Sequence, residues 1–190
     1  SMPIKQNFNQ HDLSLKHQEW LVNKFSNVEA HTVNLDELFS AFSSSLSKFE
    51  NEHGMANSRA RLRMTTLYQV AAANKGIVVG TGNKVEDFGV GFYTKYGDGG
   101  VDISPIADCN KSEVWEIGKE LGILNEIIEA APTDGLWDDG RTDEGQLGLK
   151  YHELEEAMDN PISPNRAKYE TIRKQNLHKM EPIPVCKIPN

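Results

Sequence analysis

The chain has 190 residues, a length that predicts one domain with a sizeable core. Its apolar fraction of 38% and charged fraction of 25% are typical of soluble globular proteins, and no apolar run is long enough to cross a bilayer, which argues against a transmembrane protein. The 20 basic and 28 acidic residues leave a formal charge of -8, which disfavours non-specific nucleic-acid binding. Two cysteines are too few for a disulfide framework, and the first 20 residues show no signal peptide, so we expect a cytoplasmic protein.

Apolar residues recur at helical spacing in six segments along the chain. These predicted helices lie at 11–25, 38–46, 55–74, 110–121, 151–158 and 166–175. Short apolar runs predict strands at 28–35 and 76–81, whereas 131–143 is typical of a loop and the prolines after 181 indicate an extended tail. The pattern therefore alternates between helix and strand.

The run Gly-Ile-Val-Val-Gly-Thr at 76–81 predicts a strand that is buried on both faces. A strand of this kind belongs to a parallel sheet with crossover helices, and ligands of such sheets collect at the carboxyl ends of the strands. We therefore expect an α/β fold with its site near residue 81.

Two segments after this strand carry candidate ligand-binding groups. The turn at 81–84 offers the Thr81 hydroxyl and free backbone amides to a nucleotide, although an ordinary strand-to-helix turn would look the same. The segment 92–100 combines aromatic residues, Lys95, Asp98 and three glycines, which would let the backbone approach a ligand closely. A solvated loop is the alternative for this segment.

Other charged residues are weaker candidates. Arg59, Arg61 and Arg63 cannot all point the same way on one helix, so at least one should face a ligand or a partner, unless the face is merely solvated. Glu86 could hold Mg²⁺ beside nucleotide phosphates, although a surface role is common for a lone glutamate. The pair at 178–179 could equally belong to a solvated tail. The histidines show no metal-ligand spacing, and no nucleophile motif is present.

Several sequence blocks, taken together, resemble the NAD synthetase family. They are NSRARLRMTTLY (57–68), GTGNKVEDFGVGFYTKYGDGGVDISPIAD (80–108), APTDGL (131–136), TDEGQLG (142–148) and HKMEPIPVC (178–186). The resemblance covers nearly the whole chain as a single domain, 1–190. It implies a three-layer parallel sheet flanked by helices, of the adenine-nucleotide-hydrolase-like type, and a homodimer. It also implies a ligase that uses ATP, ammonia and Mg²⁺ to convert deamido-NAD into NAD, without nucleic-acid or membrane partners.

The resemblance assigns roles to nine positions of this sequence. They are Thr81, Lys111 and Thr133 for ATP, Glu86 for magnesium, and Arg61, Lys95, Asp102, His178 and Lys179 for deamido-NAD. It assigns no catalytic residue. One extra residue between Glu86 and the FYTKYG block, compared with some members, leaves the register at Glu86 open.

One departure from the family pattern is large. Members carry an SGGxDS loop whose amides and hydroxyls bind the ATP pyrophosphate, and the 190 residues contain no such run. We expect that about fifty residues of the usual fold, with the first strand, this loop and the first helix, are missing from the front of the chain, which would leave it inactive alone. A dimerising, nucleotide-binding remnant without catalysis is the alternative. A binding module for another adenylated ligand would not explain why the blocks occur together.

Overall fold

The computed structural model describes residues 1–137 and 139–188. In that part of the chain, helices form most of the regular structure. They are α1 (Phe8–Lys24), α2 (Asp36–Ser45), α3 (Glu52–Ala73), α4 (Lys111–Glu120), α5 (Asn125–Ile128), α6 (Asp143–Leu147), α7 (Tyr151–Asp159) and α8 (Arg166–Met180). A 3₁₀ turn spans Ser47–Phe49, and a π-helical stretch, here named the π segment, spans Lys84–Val90.

The six helices that the sequence predicts are confirmed, and their ends have local causes. The Asn51 side chain accepts a hydrogen bond from the Gly54 amide at 2.8 Å and so begins α3. At the start of α4, the Asn110 amide donates to Glu113 at 2.7 Å, as the predicted capping pair requires. Helix α8 continues beyond the predicted end at 175, to Met180.

The expected three-layer sheet is wrong for the residues that the structure describes. Their only β-pairing is a single parallel bridge between Val79 and Ile103. The predicted burial of 76–81 on both faces is also wrong, because Ile77 and Val79 are 59% and 53% exposed while Val78 is buried. A parallel pair needs neighbouring strands and helices to cover its faces, and the described residues leave the Ile77 and Val79 side chains more than half exposed.

The second predicted strand, at 28–35, is wrong as well. This segment makes backbone hydrogen bonds from Val33 to Ser1 and from Leu35 to Pro3, at 2.9 and 3.0 Å, and does not form a strand. Its apolar residue Leu35 is nevertheless buried, in a small core with Ile4 and Phe39.

The larger core lies between the π segment, α7 and α8. Its fully buried side chains include Val85 and Val90 of the π segment and Tyr151 and Leu154 of α7, and Trp115 of α4 packs against them. The π segment, which follows the turn after the Val79 bridge, therefore packs against the C-terminal helices α7 and α8. No helix within the described ranges is both long and apolar enough to cross a bilayer.

Candidate active site

A cleft of about 780 Å³, here named the large cleft, lies between α3, the loop 91–101 and the end of α8. Five of the nine residues assigned from the sequence line it. They are Thr81, Arg61, Lys95, His178 and Lys179. These residues come from four separate parts of the chain, so the fold brings together what the sequence only suggested.

Two lysines of the large cleft connect the loop 91–101 to the end of α8. Lys95 Nζ donates to the carbonyl of His178 at 2.6 Å. Lys179 Nζ donates to the carbonyls of Gly91 and Tyr93, both at 2.8 Å, and the Tyr93 hydroxyl donates back to the carbonyl of Lys179 at 2.6 Å. Burial lowers the pKa of Lys179. Both ammonium groups thus hold backbone in place while they face the cleft.

Asp102 does not line the large cleft. Its carboxylate accepts a hydrogen bond from the Val78 amide at 2.7 Å and one from the Tyr68 hydroxyl at 3.2 Å. It therefore ties the segment around the Val79 bridge to α3. Lys95 and Asp102, which flank the glycine-rich loop, therefore have separate partners, the His178 carbonyl and the Val78 amide.

The glycines of the loop 92–100 serve packing within the protein. A Cβ atom at Gly97 would lie 2.9 Å from the Cβ of Ala60, and one at Gly99 would lie 2.4 Å from the Tyr93 ring. Any larger residue would push the loop away from α3 or from Tyr93. Gly97 and Gly100 also line the large cleft, so the expected close approach of this backbone to a ligand stays a prediction.

Glu86 is held by two hydrogen-bond donors. Its Oε1 atom accepts from Lys111 Nζ at 2.8 Å and from the Tyr151 hydroxyl at 2.5 Å. The side chains of Glu86 and Lys111 are only 16% and 18% exposed, so this ion pair is partly shielded from water. The structure therefore joins the predicted magnesium ligand to one of the predicted ATP contacts.

The π segment explains how Glu86 reaches this place. The buried Asn83 side chain accepts hydrogen bonds from the amides of Val85 and Glu86, both at 3.0 Å, and so begins the segment. A π-helical turn contains more residues than an α-helical one. Its wider turn can absorb an extra residue before the FYTKYG block while Glu86 stays next to Lys111.

Two further carboxylates surround Glu86. The Tyr151 hydroxyl also lies 3.1 Å from Oδ2 of the buried Asp143, whose other oxygen has no partner within the described residues. Burial, with the charges of Glu86 and Asp134, raises the pKa of Asp143 to about 6, against the effect of the Tyr151 hydrogen bond. Burial and the neighbouring Glu86 likewise raise the pKa of Asp87 to about 7. The sequence analysis assigned no role to Asp87, Asp143 or Tyr151.

A metal ion at this place would have few protein ligands. Within the described ranges, no group of three or more histidine, cysteine, aspartate or glutamate side chains is arranged to hold a cation. Glu86 still suits a hard cation, because its Oε2 atom makes no hydrogen bond to any described residue and Mg²⁺ commonly takes one or two carboxylates plus phosphate oxygens and water. The residues present fit a magnesium ion that arrives with a nucleotide.

Thr133 lies apart from the large cleft. It lines a second cleft of about 380 Å³, here named the small cleft, near residues 1–14. Its hydroxyl accepts hydrogen bonds from Gln10 Nε2 at 2.8 Å and from the Gly135 amide at 3.1 Å. Met2, Arg63 and Asp134 line both clefts, so the two are adjacent.

A model of the NAD synthase family matches residues 1–188. The chain belongs to the NAD synthase family. Curated relatives include the NH3-dependent NAD+ synthetases of Carboxydothermus hydrogenoformans, 47% identical over 134 residues, and of Mesoplasma florum, 39% identical over 156 residues. These alignments cover 68% and 80% of this chain but 54% and 62% of the relatives, so the chain spans little more than half their length.

Solved structures of the family superpose on the chain. An NMN synthetase from Francisella tularensis has a TM-score of 0.86 at 33% identity and covers 100% of this chain, which in turn covers 76% of that structure. An NH3-dependent NAD synthetase from Campylobacter jejuni has a TM-score of 0.75 at 23% identity, covering 98% of this chain and 76% of that one. The latter likeness shows the shared fold alone. The likeness to these family structures agrees with an adenine-nucleotide-hydrolase-like fold, whereas the three-layer sheet is not formed in the described residues.

Proposed function

We propose that this chain carries the substrate-binding part of an enzyme that converts deamido-NAD into NAD with ATP and ammonia, a ligase that forms a C–N bond. The observation that carries the proposal is the convergence of Arg61, Lys95, His178 and Lys179 on the large cleft, which Thr81 also lines. Arg61, Lys95 and Lys179 bring positive charge to one cleft, which suits a ligand with a pyrophosphate and a carboxylate. The membership of the chain in the NAD synthase family supports the same reaction.

The proposed chemistry has two steps. An oxygen of the nicotinate carboxylate attacks the α-phosphorus of ATP, and the bond to the pyrophosphate group breaks with its electron pair leaving on pyrophosphate. Ammonia then adds to the acyl carbon, AMP leaves with the electron pair of the C–O bond, and one proton passes to solvent. The cations of the cleft offset negative charge as it accumulates between the two substrates.

We assign ATP contacts to Thr81, Lys111 and Thr133. Thr81 presents its exposed hydroxyl in the large cleft, Thr133 presents its own in the small cleft, and Lys111 is paired with Glu86. Glu86 would hold Mg²⁺, which when bound would neutralise phosphate charge. Asp102 does not line the large cleft, so we propose that it affects deamido-NAD binding indirectly, through the loop that it anchors.

The remaining features of the proposal concern assembly. We propose a single domain that acts in the cytoplasm as a homodimer, in which the exposed apolar residues Leu67 and Val70 of α3 are buried against the partner. We also propose that turnover requires an SGGxDS loop, which the 190 residues do not contain. Without this loop, the chain would be a dimer that binds nucleotide and does not catalyse NAD formation.

Nicotinate mononucleotide is a second candidate substrate. The Francisella tularensis protein that superposes on the whole chain is described as an NMN synthetase, and a product of that name would come from the nicotinate mononucleotide. The chemistry at the carboxylate would be the same, and only the adenylate half of the substrate would be absent. The cleft contacts to the nicotinate and its phosphate would serve both substrates.

Calorimetric titration of the 190-residue chain with deamido-NAD and with nicotinate mononucleotide tests the proposal. We expect saturable binding of deamido-NAD, at least tenfold tighter than that of the mononucleotide if the adenylate half is recognised. Tighter binding of the mononucleotide would assign the chain to the second substrate. Binding of neither by folded protein would contradict the proposal.

A further inference from the structure

Arg63 lies on α3 at the boundary of the two clefts. It lines both the large cleft and the small cleft, a position that it shares with Met2 and Asp134. On the proposed function, the large cleft holds the nicotinate nucleotide and one ATP contact, Thr81, while Thr133 contacts ATP from the small cleft. The guanidinium of Arg63 therefore lies where the two substrates meet.

The partners of Arg63 in the structure are electrically neutral. Its Nε donates to the carbonyl of Met2 at 3.0 Å, and its Nη2 donates to the side-chain oxygen of Gln6 at 2.9 Å. Nη1 makes no hydrogen bond to the described residues and is not enclosed by them. At least two of the five N–H donors therefore remain available from the clefts.

Among the described residues, no salt bridge forms at the Arg63 guanidinium. No carboxylate lies within ion-pair distance of Arg63 in the described part of the chain, although Asp98 is near enough to influence it. Burial, followed by the charge of Arg59, lowers the pKa of Arg63, so the protein environment disfavours this cation. Buried charges in proteins are normally paired, so a partly buried and accessible cation without an ion pair suits an anionic ligand.

We propose that Arg63 binds an anionic oxygen of one of the two substrates at the boundary of the two clefts, through Nη1 and the free N–H of Nη2. This inference rests on the proposed function and assigns a contact to a residue outside the nine named above. The anion is either a phosphate oxygen of ATP or an oxygen of the nicotinate nucleotide. The planar guanidinium can address two oxygens at once, which a lysine cannot.

The test compares Arg63→Gln and Arg63→Lys with the unaltered chain in calorimetric titrations with ATP and, separately, with deamido-NAD. We expect Arg63→Gln to weaken binding of at least one ligand by about ten- to hundredfold, and Arg63→Lys to recover part of the loss. Loss confined to ATP would assign the contact to phosphate, and loss confined to deamido-NAD would assign it to the nicotinate nucleotide. Unchanged affinity for both ligands would overturn the inference while leaving the proposed function intact.

Arg173→Gln is the matched control. Arg173 is also half-buried, also donates to backbone carbonyls, of Phe88 and Gly89, and lines neither cleft. Equal losses in Arg173→Gln and Arg63→Gln would mean that Arg63 is merely structural. If Arg63→Gln does not fold, Gln6→Glu replaces it, because a carboxylate beside Nη2 would neutralise the guanidinium without removing it. Undiminished binding in folded Gln6→Glu would also overturn the inference, and failure of the unaltered chain to bind either ligand would instead contradict the proposed function.

Discussion

Tyr151 donates its hydroxyl hydrogen to Oε1 of Glu86 over 2.5 Å, and the same oxygen accepts a hydrogen bond from Lys111. The tyrosine belongs to α7 and is buried, while Glu86 lies in the π segment. Burial and the neighbouring charge of Glu86 raise the pKa of Tyr151, so the hydroxyl remains a donor at neutral pH. This contact ties the proposed magnesium ligand to the main core.

Replacing Tyr151 with phenylalanine should destabilise the protein by about 1–3 kcal/mol, because Glu86 loses a partly buried hydrogen-bond donor and Asp143 loses a neighbouring hydroxyl. The ring would remain, together with its edge-on contact to Trp115 at 5.9 Å between centroids. Urea unfolding followed by tryptophan fluorescence measures the change in free energy.

The control for this variant is Tyr169→Phe. Tyr169 is a buried tyrosine of the same core, and its hydroxyl makes no hydrogen bond to any residue that the structure describes. We expect a change below about 0.5 kcal/mol there. An equal loss of stability in the two variants would show that the Glu86 contact contributes little.

Lys95→Ala should weaken deamido-NAD binding by about ten- to hundredfold and leave ATP binding nearly unchanged. The variant removes one cation from the large cleft, whereas Thr81, Lys111 and Thr133 remain for ATP. Calorimetry with each ligand measures both affinities. Lys174→Ala is the control, because Lys174 is an exposed lysine of α8 outside the cleft. If Lys95 only holds the His178 carbonyl, the variant will melt earlier and both affinities will change together.

Asp87 should make the protein less stable as the pH rises. Its pKa is near 3.8 in an unfolded chain and about 7 in the folded state, so between these values the folded protein binds more protons than the unfolded one. The stabilising effect of the protonated carboxyl is complete below about pH 4 and is lost as the pH rises through about 7.

Asp87→Asn removes this titration. In magnesium-free buffer, we expect the melting temperature of the variant to exceed that of the unaltered chain at pH 8 by more than it does at pH 5. The exposed Asp159→Asn on α7 serves as the control and should show no such pH-dependent difference. A constant difference between Asp87→Asn and the unaltered chain across this range would show that Asp87 is not held in its neutral form.

Dimerisation is tested by sedimentation velocity. A homodimer that buries Leu67 and Val70 should be present at micromolar concentration, and Leu67→Asp should shift the protein to monomer, because an aspartate there would be desolvated in the interface. Thr65→Asp is the control, because it places the same new charge at another exposed position of α3. A monomer at all concentrations would contradict this assembly for the 190-residue chain.

Helices were more predictable from this sequence than strands. Helical spacing and caps such as Asn110 with Glu113 act within a few residues, so the pattern of α4 determines its own start. A strand depends on neighbours elsewhere in the chain, and the apolar run at 76–81 predicted burial that Ile77 and Val79 do not have.

Some residues of the site could likewise be predicted from local sequence, and others could not. Thr81, Lys95 and the pair at 178–179 could be recognised because they lie in sequence blocks typical of the family. Tyr151 could not, because its contact with Glu86 joins residues 65 positions apart and depends on packing that no local pattern records. The TDEGQLG block did contain Asp143, which was a signal for the carboxylate beside Tyr151.

The central claim is most directly tested by supplying ¹⁵N-labelled ammonia, ATP and deamido-NAD to the chain joined to an upstream segment that carries an SGGxDS loop, with the 190-residue chain assayed in parallel. We expect the joined protein to form NAD with one ¹⁵N atom in its amide and to release one pyrophosphate and one AMP per NAD. The 190-residue chain should form none, because each missing preorganised donor is worth about 10²–10³ in rate. The folded joined protein is tested with each substrate, deamido-NAD and nicotinate mononucleotide. Failure of both substrates to give the ¹⁵N-labelled amide product would contradict the account.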